Sequence, residues 1–236
     1  MKITLFSIND KIKELDIKQK EINRILQIDS KDLYEKIKSE CKSKAIKIAI
    51  VSASNSLGFM DGGSDLGYMK SIPNIQEKIQ NGIKRLNNLS KLGRPYLQIG
   101  SSMSFQLNEN ENIYFISSPT MFLPQKVINT SNPYYTFLST IIMANFMGID
   151  ELYSPLFCTG YGGYDYYKSY SLMIQAIKDH NLIDMKNNYN FIQKNQYYYL
   201  ILKKSIYNYI LKQQPKIYTN TEFEVLSIND LINTNS

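Results

Sequence analysis

Apolar positions along this chain follow two rhythms. Residues 2–8 alternate loosely, through Ile3, Leu5, Phe6 and Ile8, and predict a first strand. Asn9 or Asp10 stands where a cap would open the next element. Residues 10–42 are lysine-rich and helix-compatible, with a break at Asp29-Ser30. The stretch "AIKIAIVS", 45–52, is a short and nearly continuous apolar run, as in a strand covered on both faces. Asp65 to Lys70 predicts a short helix ended near Pro73. Residues 74–90 place Ile75, Ile79, Ile83 and Leu86 three or four apart, the clearest amphipathic helix in the chain, although Gly82 weakens it. Residues 96–107 and 112–118 read as strands joined by the acidic turn "NENEN". Pro133 suits the first turn of a helix reaching Met147. "ELYSPLF" is a short strand, and a helix runs from Tyr166 to His180. Residues 188–211 read as one helix with a face of tyrosine and isoleucine. Beyond Pro215 a final strand, Phe223 to Ile228, and a short polar tail are expected.

Helices separated by apolar strands imply a layered α/β domain over residues 1–180. Residues 181–236 read as a C-terminal helical extension packed on that core.

Composition narrows the function classes. The 236 residues are 43% apolar and 20% charged, values of a folded domain. The net charge of +6 favours acidic partners, but the lysines are dispersed and mark no nucleic-acid groove. Cys41 and Cys158 give no disulfide framework, and with His180 alone they build no metal cluster. No metal or cofactor is expected. The amino-terminal stretch does not read as a signal peptide, and no apolar run reaches the ~18 residues a membrane span needs. A cytoplasmic or otherwise intracellular setting is expected, with no membrane partner; the oligomeric state is left open.

Two glycine-rich loops carry the candidate chemistry. "NSLGFMDGGSDLGY" runs from Asn55 to Tyr68, and "CTGYGGY" from Cys158 to Tyr164. Each lies between an expected strand and an expected helix. Gly62 and Gly63 on one loop, and Gly160, Gly162 and Gly163 on the other, can present consecutive amide donors to an anion. The helix that follows each loop adds its positive end. Together the two loops could clamp a diphosphate. Neither is a G-x-G-x-x-G fingerprint or a G-x-x-x-x-G-K-[ST] loop, and no G-x-S-x-G elbow exists. Dinucleotide-fold, P-loop and serine-hydrolase classes are therefore poor matches.

"VSASNSLGFMDGGSDLGY", "SSPTMFLPQKVINTSNPYYTFLSTIIMA" and "SPLFCTGYGGYDYYKSYSLMIQAI" together resemble, in order, three regions of the macro domain family, in the branch with a GFMDGG-type first loop. The resemblance covers about residues 45–180. It implies a three-layer α/β/α fold with a mixed central sheet, binding ADP-ribose or an ADP-ribosylated macromolecule. Asn55 falls beside the distal ribose in this alignment, Gly62 and Gly63 on the first loop, and Asp65 near the distal end of the ligand; Ser54, just before Asn55, is a further ligand-binding candidate. Thr159, Gly160, Tyr161 and Gly162 match the diphosphate-wrapping loop. Asp29 is the nearest counterpart of the acid that contacts adenine, without the glycine that usually precedes it. Leu156 and Cys158 stand where glycines are common, which implies a narrowed or rerouted phosphate channel.

Some family members bind ADP-ribose; others hydrolyse an ADP-ribosyl bond or ADP-ribose 1″-phosphate. Asn55, Asp61 and Asp65 are the candidate catalytic side chains. Plain structural roles compete: a turn carboxylate for Asp61, a helix cap for Asp65, a helix end for His180 and a small buried side chain for Cys158. The sequence leaves hydrolase and non-catalytic binding module both open, beside another nucleotide-like ligand.

Overall fold

The computed structural model describes residues 1–15, 21–41, 46–86, 95–108, 112–180 and 188–213. The chain runs through β1 (Lys2–Ser7), a 3-10 helix (Asp10–Glu14), β2 (Arg24–Gln27), α1 (Ser30–Cys41) and β3 (Ile48–Ser52). It continues through α2 (Gly63–Ser71), α3 (Ile75–Arg85), β4 (Ser102–Gln106), β5 (Ile113–Ser117) and α4 (Asn132–Phe146). The remaining elements are β6 (Glu151–Pro155), α5 (Tyr166–Asp179), β7 (Tyr189–Lys194), β8 (Tyr197–Leu202) and α6 (Lys204–Gln213).

The strands form one eight-stranded mixed sheet in the order β2-β1-β6-β3-β5-β4-β8-β7. The first five are joined by parallel pairings, and the last three attach through antiparallel ones. β3 is buried at every position. Its alternate side chains feed two cores: Ala49 and Val51 pack toward α4 and α5, while Ile48 and Ile50 pack toward α1, α2 and α3. The architecture is three-layered α/β/α.

Local sequence explains the flanking layers. Ile75, Ile79 and Ile83 turn one stripe of α3 into the second core. Gly82 lies on the same contact. A Cβ there would come within 2.8 Å of the Tyr197 ring, and the buried Tyr199 hydroxyl donates to the Gly82 carbonyl at 2.9 Å. The helix gives up some propensity for a closer approach to β4 and β8. α4 is apolar nearly all round because it lies against both the sheet and α5. Asp165 caps α5 by accepting from the Lys168 amide at 3.0 Å, and Asn9 caps the 3-10 helix by accepting from Lys11 at 3.0 Å.

Two expectations are corrected. The lysine-rich stretch holds β2, which continues the sheet beyond β1. This edge strand is four residues long and has only two half-buried positions, Ile25 and Leu26, so its alternation is too short to register. The single helix expected over 188–211 is instead the β7–β8 hairpin followed by α6. Tyr197, Tyr199 and Ile201 face one core and Leu200 and Leu202 the other, a period of two. Asn195, at φ 52°, opens the two-residue turn, the conformation for which asparagine is favoured. The strand expected over 223–228 and the polar tail lie outside the described residues. Among the described residues, no helix is long and apolar enough to cross a membrane.

Candidate functional site

The parallel neighbours β3 and β6 end side by side, and each gives rise to one glycine-rich loop. The carboxyl ends of such strands are where open α/β sheets place ligands. Between the loops lies a cleft of about 270 Å3. Asp29, Ser54, Asn55, Asp61, Gly62 and Gly63 line it. So do Asp65, Thr159, Gly160, Tyr161 and Gly162. The fold thus brings the ligand-binding and catalytic candidates to one cavity, while Gly163, offered as a further amide donor, is not among its lining residues.

Asn55 organises the first loop. Its Oδ1 accepts from the amides of Leu57 (3.1 Å) and Phe59 (3.2 Å), and its Nδ2 donates to the Phe59 carbonyl at 2.7 Å. The carboxamide is therefore committed largely to its own turn. The loop is also tied to the segment after β5. The Ser56 amide donates to Met121 O at 2.9 Å, and the Thr120 amide to Ser54 O at 2.9 Å. The Ser54 hydroxyl meets that of Ser117 at 2.9 Å. Gly62 and Gly63 then open α2, whose amino end faces the cleft. A Cβ on Gly62 would run into the Tyr161 ring, so the two loops meet across the cavity there.

The second loop is a tight turn. The Tyr164 amide donates to Cys158 O and the Gly163 amide to Gly160 O, each at 2.9 Å; the Val127 amide donates to Gly162 O at 3.0 Å. A Cβ on Gly162 would strike the Cys158 carbonyl, so this position is closed to side chains by backbone. Cys158 itself sits at φ 63°, a left-handed conformation that suits glycine, while Leu156 does not. The turn keeps a glycine-like backbone at 158 and fills the position with a buried thiol. Among the described residues, no acceptor takes the amides of Gly160, Tyr161 and Gly162.

Charge in the cleft is one-sided. Its charged lining residues are Asp29, Asp61 and Asp65, with no lysine or arginine among the described residues. An anion here would depend on backbone amides and the α2 amino end. Asp29 caps α1, accepting from the Lys31 amide at 2.8 Å. Asp61 is exposed at the rim. Asp65 is 7% exposed and accepts from the Ser52 hydroxyl at 2.7 Å. Burial drives its carboxyl up to about 7; the Ser52 hydrogen bond opposes that rise, and the nearby Asp61 charge adds to it. Among the described residues, no group of three or more His, Cys, Asp or Glu side chains is placed to hold a metal.

Burial likewise pushes the Cys158 thiol up to about 12, against a hydrogen bond with Thr120. Iodoacetamide at about pH 8 is expected to alkylate Cys158 about a thousandfold more slowly in the folded protein than in the unfolded one. Mass analysis of the Cys158 peptide reads this out. Equal rates would contradict the buried thiol.

Reading the sequence did not pick out Thr120, Met121 and Tyr166, which also line the cleft. The available signal was the broken alternation at "SSPT", which marks the exit of β5 beside β3. Tyr166 opens α5, and its hydroxyl lies 3.4 Å from Ser7 Oγ.

Fold and cavity together define the class: a three-layer α/β/α domain with a ligand-sized cleft at the carboxyl ends of its central parallel strands. No family model matches the chain, and no curated protein resembles it in sequence. Among solved structures it is similar to the macrodomain of Mycobacterium tuberculosis DarG, at 18% identity and a TM-score of 0.47, covering 58% of this chain and 84% of that one. It is also similar to Thermosipho africanus DarTG in complex with ADP-ribose, at 16% identity and a TM-score of 0.45. There the match covers 55% of this chain and 35% of the other, so this chain spans about a third of that protein.

Proposed function

We propose that the cleft binds ADP-ribose, free or attached to a macromolecule, and that Asp65 assists hydrolysis of an ADP-ribosyl bond or of ADP-ribose 1″-phosphate. The observation that carries this reading is the convergence of both glycine loops on one cleft, with amides of the second loop lacking acceptors among the described residues. A diphosphate suits such a clamp on the side of the second loop, whose amides can meet it, because Asp61 and Asp65 put carboxyl groups beside the amino end of α2. In hydrolysis, water adds to the anomeric carbon as the bond to the leaving group breaks. A carboxyl that titrates near 7 can give a proton to that group or take one from the water.

A non-catalytic binding module is the second reading. It is favoured by Asn55, whose carboxamide is occupied by the Phe59 turn.

The two readings separate when the folded protein is incubated with ADP-ribosylated protein, ADP-ribosylated nucleic acid and ADP-ribose 1″-phosphate. Hydrolysis predicts released ADP-ribose, and Asp65→Ala should then reduce turnover more than affinity. Intact ADP-ribose binding with all three substrates unprocessed would reject the catalytic part and leave the binding part standing.

A further inference from the structure

The two sides of the cleft carry opposite electrical bias. Three carboxyls gather on one side, around the first turns of α2. Asp65 stands in the first turn itself, and its carboxyl feels the charge of Asp61. Asp29 arrives with α1. The Ser30 hydroxyl donates to Ser64 O at 2.6 Å, and a Cβ on Gly67 would come within 2.9 Å of the Asp29 carboxyl. All three aspartates line the cleft, and among the described residues none of them pairs with a lysine or arginine. Asp29 and Asp61 alone outweigh the positive end of α2, which amounts to about half a charge.

The second loop tips the other way. Its amides point to an anion, and a cation flanks it: a Cβ on Gly163 would come within 2.9 Å of the Lys126 ammonium. Neither Gly163 nor Lys126 lines the cleft, so this charge acts from behind the loop. A ligand with a diphosphate at the second loop therefore puts its far part among carboxyls. With the anomeric carbon at Asp65, the group attached to that carbon meets Asp61, the exposed carboxyl whose charge bears on Asp65. At about 6 Å near the surface, each unit charge there changes affinity by about three- to tenfold, with the sign set by the charge. A 1″-phosphate brings about two negative charges to that position, and a nucleic-acid acceptor brings its backbone phosphates to the same rim. A guanidinium keeps its positive charge when it is glycosylated, and it finds acceptors in these carboxyls.

We propose that Asp61 is a specificity-determining residue, which selects a cationic group over an anionic one at the anomeric carbon. The substrate class is then ADP-ribose carried on a guanidinium side chain of a protein, and ADP-ribose 1″-phosphate is discriminated against. The selection rests on the ADP-ribose reading, with the anomeric carbon at Asp65, and narrows it.

The 236-residue chain is titrated calorimetrically with ADP-ribose, ADP-ribose 1″-phosphate, ADP-ribosylated agmatine and a short ADP-ribosylated oligonucleotide. A conjugate that is consumed during titration is compared by kcat/KM instead. At low salt the agmatine conjugate, which carries the guanidinium, is expected to bind about tenfold or more tightly than the 1″-phosphate. The gap should narrow at about 0.5 M salt. Asp61→Asn is expected to narrow the low-salt gap about threefold or more, while Asp61→Glu keeps it. A merely structural role for Asp61 would lower all four affinities together and leave their ratios unchanged. The selection is overturned, with the ADP-ribose reading intact, if ADP-ribose binds and either anionic probe matches the agmatine conjugate. It is overturned equally if Asp61→Asn leaves the gap as it was. Absence of ADP-ribose binding to the folded parent chain would overturn the reading beneath it as well.

Discussion

Gly162→Ala is expected to lower ADP-ribose affinity about a hundredfold and to destabilise the fold by about 1–3 kcal/mol. The new methyl group would strike the Cys158 carbonyl, which is backbone and cannot rotate away. Relief would require opening the turn held by the Tyr164-to-Cys158 hydrogen bond, and with it the Val127-to-Gly162 bond that anchors the loop. The amides of Gly160 to Gly162, which have no acceptor among the described residues, would then lose the positions that this turn gives them. Gly160→Ala is the matched control. A Cβ at Gly160 meets nothing within 4 Å, so its melting temperature should match that of the parent. Calorimetric titration and thermal unfolding of the two variants check the contrast. Equal behaviour would mean that the turn geometry around Cys158 does not hold the loop together.

Asp65→Asn is expected to raise stability at about pH 8 by on the order of 2–4 kcal/mol and to flatten its pH dependence between about pH 4 and 7. The sign follows from burial. In the folded state the Asp65 carboxyl titrates at about 7, well above its value in an unfolded chain. Between those values the folded protein holds the extra proton. Stability is therefore fullest below the unfolded value and falls as pH rises through the folded one. Asparagine is neutral throughout and keeps an oxygen that can accept from Ser52. Chemical denaturation across that pH range, on parent and variant, measures the difference. A parent whose stability does not fall between about pH 4 and 7 would show that Asp65 is not buried as described.

These two residues also show what could be read before the structure. Gly162 was legible because glycine clusters between an apolar run and an amphipathic helix mark a backbone that must turn sharply. Asp65 was legible as an acid in the first turn of a helix, but its burial was not. Burial depends on α1 crossing close to α2, where Gly67 lies against Ser30 and Asp29, and on a Ser52 hydroxyl arriving from β3. Those contacts join residues far apart in sequence. The β7–β8 hairpin was hidden for a different reason. Its tyrosines and isoleucines satisfy helical spacing as well as alternation, and only pairing with β4 decides between them. In β2 the pattern was simply too short. Cys158 lies between these cases: its sequence breaks the glycine pattern, while its backbone, at φ 63°, preserves it.

The central claim is that the cleft between the two loops is an ADP-ribose site. Titrating ADP-ribose into the folded 236-residue chain tests it most directly. Saturable one-to-one binding that Gly162→Ala weakens about a hundredfold is the result this account predicts. No binding at millimolar ADP-ribose, with folding verified by circular dichroism, would contradict it.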